Sequence, residues 1–150
     1  MKLKILLVDD HQMMRDGIRA IVASTFKFKI ASEASDGIMA LKYLETNKVD
    51  LVVLDINMPN MDGVACAKSI KELNPNAKIL AVSMYVDDLH VMKMHEAGAN
   101  GYISKDAGKK VFLEAMEAIC RGESYHSKEV KQIIIYLRLI ISMKKEGKNK

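Results

Sequence analysis

The chain has 150 residues, 49% hydrophobic and 28% charged, with two prolines, eight glycines and no tryptophan, which fits one globular domain and excludes a linker-rich or disordered chain. Its net charge of +4 belongs to one end: residues 1–126 carry 16 Lys and Arg against 17 Asp and Glu, and residues 127–150 carry 7 against 2. The excess reads as a solvated tail, and the chain is not expected to bind nucleic acid directly. Cys66 and Cys120 are too few for a disulfide framework, and no apolar stretch approaches the ~18 residues of a membrane span. The expectation is a cytoplasmic protein with no membrane partner.

Lys2 to Val8 is a short apolar strand that ends in Asp9-Asp10, and Met14, Ile18, Ile21 and Val22 then share one face of a helix running from near His11 to Ser24-Thr25. A second strand lies near Phe28 to Glu33. Asp36-Gly37 opens a helix whose expected buried stripe is Met39-Ala40 and Tyr43-Leu44. The third strand, Asp50 to Leu54, lacks polar alternation and reads as buried on both faces. Asp55 therefore belongs at its exit, before a loop punctuated by Pro59 and Gly63. Val64, Ala67, Ile70 and Leu73 mark the next helix, which Asn74-Pro75 stops. Lys78 to Val82 is the fourth strand and delivers Ser83; Asp87-Asp88 begin a helix that Gly98 closes. Gly101 to Ser104 is a very short fifth strand delivering Lys105, and the following helix, with Val111, Phe112, Ala115, Met116 and Ile119 inside, ends at Gly122.

Strict alternation of this kind implies an α/β fold: a five-stranded parallel sheet, flavodoxin-like with order 2-1-3-4-5, helices on both faces, plus an extra C-terminal helix. Residues 1–122 are expected to form the domain, and residues 123–150 a linker helix and basic tail. In that last helix Val130, Ile133, Ile134, Leu137, Ile140 and Ile141 repeat at helical spacing, while Ile135 and Leu139 make it apolar on more than one side. Such a helix needs a docking surface.

In a parallel sheet all strand exits share one rim, which here collects Asp9, Asp10, Asp55, Ser83 and Lys105. Clustered carboxylates repel unless a cation lies between them, and a hard divalent ion such as Mg²⁺, which takes carboxylates together with phosphate oxygens, suits the set. Asp55 is then placed as a nucleophile toward phosphorus, with Lys105 and the Ser83 hydroxyl stabilising phosphoryl oxygens. Each of these residues alone reads as a cap, a turn or a surface group; together they read as a phosphoacceptor site. His11, His90, His95 and His126 are scattered and read as surface residues without a ligand partner.

The segments Val8-Asp9-Asp10-His11, Leu54-Asp55-Ile56-Asn57-Met58-Pro59-Asn60-Met61-Asp62-Gly63, Ser83 and Ala97 to Lys105 occur in an order that resembles a response-regulator receiver domain of two-component signalling. The resemblance implies that Asp55 is phosphorylated by a sensor histidine kinase and that Asp10 binds Mg²⁺ directly with Asp9 assisting. It further implies that the Asn57 carbonyl is a third protein ligand, that Ser83 and Lys105 bind the phosphoryl group, and that Tyr102 is an aromatic switch. Asp9-Asp10-His11 with Arg15 and Gly17 resembles the branch with a LuxR-type helix-turn-helix output domain, which implies transcription regulation; those output helices are not in this sequence. The two-sided apolar pattern of the C-terminal helix leads to a further expectation, that it docks either on a second chain in a homodimer or on the output domain; the fourth helix, fifth strand and fifth helix are the other candidate dimer face. The competing enzymatic class, an aspartate-nucleophile phosphatase of the haloacid-dehalogenase type, wants a second aspartate two residues after the nucleophile as general acid. Asn57 stands there, so no turnover enzyme is expected beyond self-phosphorylation and self-dephosphorylation.

Overall fold

In the computed structural model the chain alternates β1 (Leu3–Val8), α1 (Gln12–Ala23), β2 (Phe28–Ala34), α2 (Gly37–Thr46), β3 (Leu51–Asp55), α3 (Gly63–Leu73), β4 (Ile79–Ser83), α4 (Asp88–Glu96), β5 (Gly101–Ser104) and α5 (Lys109–Cys120). It then adds β6 (Tyr125–His126) and α6 (Lys128–Lys148). The described residues are 1–84, 86–126 and 128–148, without the side chains of Glu129 and Lys148. Tyr85 of the β4–α4 loop, Ser127 of the linker and the final two residues of the basic tail lie outside them.

The sheet is parallel throughout, in the order β2-β1-β3-β4-β5-β6. The expected order of the first five strands holds, but the sheet has six strands. The sixth is two residues long and pairs Tyr125 with Gly101 and His126 with Tyr102. Neither its length nor its composition marks it as a strand; the unpaired edge of β5 recruits it.

Two apolar layers cover the sheet. One packs Ile18 and Val22 of α1 and Phe112, Ala115, Met116 and Ile119 of α5 on Ile5, Leu7, Val53, Leu80 and Ile103. The other packs Ala40, Cys66, Ala67, Ile70, Val91 and Met94 of α2 to α4 on Leu6, Val8, Val52 and Leu54. Side chains of successive strand residues point to opposite faces, so strands covered on both sides are apolar throughout, as in β3 and β4, where every residue is buried. Val130 and Ile134 of α6 join the second layer, so the C-terminal helix lies against α4. In α2 the buried stripe differs from the sequence expectation. Ala40 is fully buried and Tyr43 and Leu44 pack partly, but Met39 is exposed.

Candidate functional site

The registers explain why the rim residues meet. Val8 pairs with Leu54, Asp55 with Val82, and Ser83 with Ser104, so Asp9, Asp55, Ser83 and Lys105 emerge at one level. β1 lies between β2 and β3, which puts Asp9, Asp10 and Asp55 at the point where the strand order reverses, the usual ligand crevice of open α/β sheets. The loop after β3 is held by Gly63 N–H donating to the Ile56 carbonyl at 2.7 Å and by Asp62 Oδ1 accepting from Ala65 N–H at 2.8 Å as the α3 N-cap. A Cβ at position 63 would lie 2.4 Å from Ile56 Cα and 2.6 Å from the Asp55 carbonyl oxygen. Only glycine allows the start of α3 to approach the Asp55 backbone this closely.

Asp55 is 2% exposed and Asp9 equally so. Lys105 Nζ stands 3.1 Å from Oδ2 of each, and the Lys105 backbone N–H donates to the Ser83 carbonyl at 2.8 Å. Asp55 Oδ1 accepts from Asn57 N–H at 3.1 Å. Burial, reinforced by repulsion from Asp9, pushes the Asp55 carboxyl up to about 6 against the opposing pull of Lys105 and the Asn57 amide. For Lys105 burial works against the charge, yet attraction from Asp55 and Asp9 outweighs it and the net shift is upward. The lysine is thus locked in its charged form by the two acids it separates.

Ser83 is fully buried and Tyr102 is 2% exposed. Burial pushes the Tyr102 hydroxyl up to about 12, opposed by a side-chain hydrogen bond with Ser83. The tyrosine is therefore turned inward and coupled to the hydroxyl at the β4 exit. Met84, the residue after Ser83, is exposed.

Asp9, Asp10, His11 and Asp55 can each offer one ligand atom, all within 4.8 Å of one another. Asp10 Oδ1 is buried and accepts no hydrogen bond, and Asp55 Oδ2 meets the Lys105 ammonium without a hydrogen bond of conventional geometry. Buried carboxylate oxygens with unused acceptor capacity fit a hard divalent cation. Two residues escaped the sequence reading. Arg15 Nη1 donates to the Asp9 carbonyl oxygen at 2.6 Å, fixing the β1 exit from within α1. His11 is a surface residue as expected, its ring 64% exposed, but its Nδ1 stands 3.1 Å from Asp10 Oδ1 and hydrogen-bonds Asp9 Oδ1 at 3.3 Å, a contact the sequence reading did not foresee. Its place beside Asp9-Asp10 was the available signal. His126, expected at the surface, is instead partly buried, its ring 6.5 Å from that of His95, and His90 is partly buried too, its Nδ1 2.7 Å from Asp87 Oδ2.

A parallel sheet with this strand order, whose carboxyl edge gathers three aspartates and a buried lysine, defines a receiver-like α/β domain. A family model described as the response regulator receiver domain matches residues 5–117. The transcriptional regulatory protein DegU of Brevibacillus brevis is 30% identical over 141 residues, spanning 93% of this chain and 60% of DegU. Response regulator UvrY of Escherichia coli strain K12 is 33% identical over 130 residues, spanning 87% of this chain and 60% of UvrY. The crystal structure of a LuxR-family two-component response regulator from Aurantimonas sp. SI85-9A1 superposes with a TM-score of 0.85 at 31% identity, covering 93% of this chain and 99% of that one. The chain belongs to the response regulator receiver domain family and is the receiver domain of a two-component signalling protein. It spans about 60% of the length of the curated relatives it matches.

Proposed function

We propose that Asp55 is the phosphoacceptor of this receiver and that the phosphoryl donor is a phosphohistidine on a sensor histidine kinase. The observation that carries this reading is the buried Asp55 carboxylate facing Lys105 Nζ at 3.1 Å, beside Asp9 and Asp10. An Asp55 oxygen attacks phosphorus in line, the P–N bond of the phosphohistidine breaks, and the imidazole leaves with the electron pair. An aspartyl phosphate results. Asp10, Asp55 and the Asn57 carbonyl would hold Mg²⁺, with Asp9 assisting. The ion, when bound, neutralises charge on the transferring phosphoryl oxygens. Lys105 and Ser83 bind the remaining oxygens, and Lys105 leaves its pairing with the two acids to do so. Movement of the Ser83 hydroxyl toward the phosphoryl group alters its bond with Tyr102, which makes Tyr102 the switch. Since the Asn57 carboxamide is not acidic enough to protonate a leaving group, hydrolysis is confined to loss of the protein's own phosphate.

Residues 1–122 are taken as the phosphoacceptor unit and 123–150 as linker helix and tail. The likeness to DegU, UvrY and the Aurantimonas LuxR-family regulator supports a role in transcription regulation, with a DNA-binding output domain in the longer protein and no direct DNA contact by this segment. A homodimer through α6 is favoured over one through α4, β5 and α5, because β6 occupies the β5 edge and α6 lies on α4. Among the described residues no helix is long and apolar enough to cross a membrane, and a cytoplasmic location suits two free cysteines.

The test is incorporation of labelled phosphate from acetyl phosphate with Mg²⁺. Wild type is expected to label and Asp55→Asn to fall to background. Wild-type labelling of the variant refutes the assignment.

A further inference from the structure

We propose that the β6–α6 extension is an internal stop for the aromatic switch: His126 and Val130 are positioning residues that close the outward place of Tyr102 and hold its ring against Ser83. This role rests on the reading of Ser83 and Tyr102 as the switch of this receiver, and it adds to that switch a part of the chain beyond α5.

With β5 as the last strand, Tyr102 would stand at a sheet edge, where a change of side-chain rotamer carries an aromatic ring from the core into solvent. β6 removes that edge. Gly101 pairs with Tyr125 and Tyr102 with His126, and Tyr125 N–H donates to the Asn100 carbonyl at 3.1 Å. A Cβ at position 101 would lie 2.5 Å from the Tyr125 carbonyl oxygen and 2.7 Å from Ile119 Cδ1, so β6 approaches β5 as closely as a glycine permits. Partner residues of a parallel pair project to the same face of the sheet, which puts the His126 side chain beside that of Tyr102. The same face follows from its ring, 6.5 Å from that of His95 in α4, because α4 covers the layer that contains Tyr102.

α6 closes the rest. Val130 is fully buried and Ile134 is 7% exposed, and both belong to the apolar layer of Tyr102, Val91 and Met94. His126, just ahead of α6, meets His95 in the last turn of α4, while Gln132, Ile133 and Tyr136 flank Asp88 in its first turn. The two helices are therefore antiparallel, and the cover extends along the whole of α4. Tyr102 is 2% exposed and shares a side-chain hydrogen bond with Ser83. With the imidazole beside it and Val130 in its layer, the ring can leave Ser83 only if the extension undocks. His126 Nδ1 makes no hydrogen bond, so its ring acts by bulk. The setting of the switch is thereby tied to the docking of α6.

The experiment uses the full chain labelled with fluorotyrosine and read by fluorine NMR without any phosphoryl donor, the Tyr102 resonance being identified by its loss in Tyr102→Phe. Wild type is expected to give one Tyr102 resonance shielded from a soluble paramagnetic relaxation agent. His126→Ala and Val130→Ala should each transfer about a tenth or more of its intensity to an unshielded position. His126→Phe, which keeps a ring, and Ile135→Ala, on the outer face of α6, should leave it as in wild type. A Tyr102 resonance that stays shielded in both alanine variants overturns the proposal. So does a Tyr43 resonance in α2 that changes to the same extent, since that marks loosening of the whole domain. Because no phosphoryl donor is present, either result overturns the positioning role alone, and acetyl phosphate labelling decides the phosphoacceptor separately.

Discussion

Asp55 and Lys105 illustrate how a reactive carboxylate is kept in a folded interior. The folded-state carboxyl sits at about 6, above its unfolded value of about 3.9. Protonated Asp55 is therefore favoured by folding, and its contribution to stability is fully present below about pH 4 and lost as pH rises through about 6. In chelator, wild type should lose about 3 kcal/mol on this account between those limits. Denaturant unfolding at a series of pH values should show that component absent from Asp55→Asn. Lys105→Met removes the cation that separates two buried acids, and should destabilise the metal-free protein by about 3 kcal/mol. Unfolding of that variant with and without Mg²⁺ is the check, and added divalent ion should restore part of the loss.

At the scale of elements, the β3–α3 junction and the β6–α6 extension are the places where one residue decides the geometry. Gly63→Ala forces a Cβ against Ile56 Cα and the Asp55 carbonyl oxygen, both backbone atoms, so the start of α3 must move. A loss of about 2–4 kcal/mol is expected, with amide shifts concentrated in residues 55–66 and reduced acetyl phosphate labelling. His126 makes the C-terminal extension sensitive to acid. Burial, with like charge from His95, Lys131 and Arg138, lowers its imidazole to about 4, and its Nδ1 is buried without a hydrogen bond. Neutral His126 is favoured by folding, so its contribution is fully present above about pH 6.5 and lost as pH falls toward 4. After allowance for solvent at this partly exposed ring, the effect is about 1–2 kcal/mol between pH 7 and 4. His126→Phe should flatten the pH dependence of unfolding over that interval.

For the whole molecule, α6 is both a cover and an exposed surface. Val130 and Ile134 are buried against the layer that contains Val91 and Met94, while Ile135, Tyr136 and Leu139 on the other side are more than half exposed. Deleting the chain after Gly122 uncovers α4 and the β5 edge, so the shortened domain should unfold at lower denaturant concentration. Sedimentation of the two lengths tests the second role. A dimer through the outer face of α6 predicts that the full chain has twice the monomer mass and the shortened chain the monomer mass; equal monomeric masses refute it.

The apolar runs of β1, β3 and β4, the polar residue at each exit and the helical stripes between them made the α/β alternation readable, because a strand buried on both faces needs an uninterrupted apolar sequence. The rim of Asp9, Asp10, Asp55, Ser83 and Lys105 followed from parallel topology alone. Met39 was misplaced because a helix of mixed faces leaves the choice of buried side to its neighbours. β6 could not be read, since two residues carry no periodicity and their pairing depends on an edge at Gly101 and Tyr102 more than 20 residues earlier. The orientation of His11 and the docking of α6 on α4 were equally hidden. Local burial patterns are enough to set the strands and helices from β1 to α5, the helix α6 and the residues that reach the carboxyl rim. Only the tertiary structure decided which side chains within that rim touch, and what covers α4, because those depend on distances between segments remote along the chain.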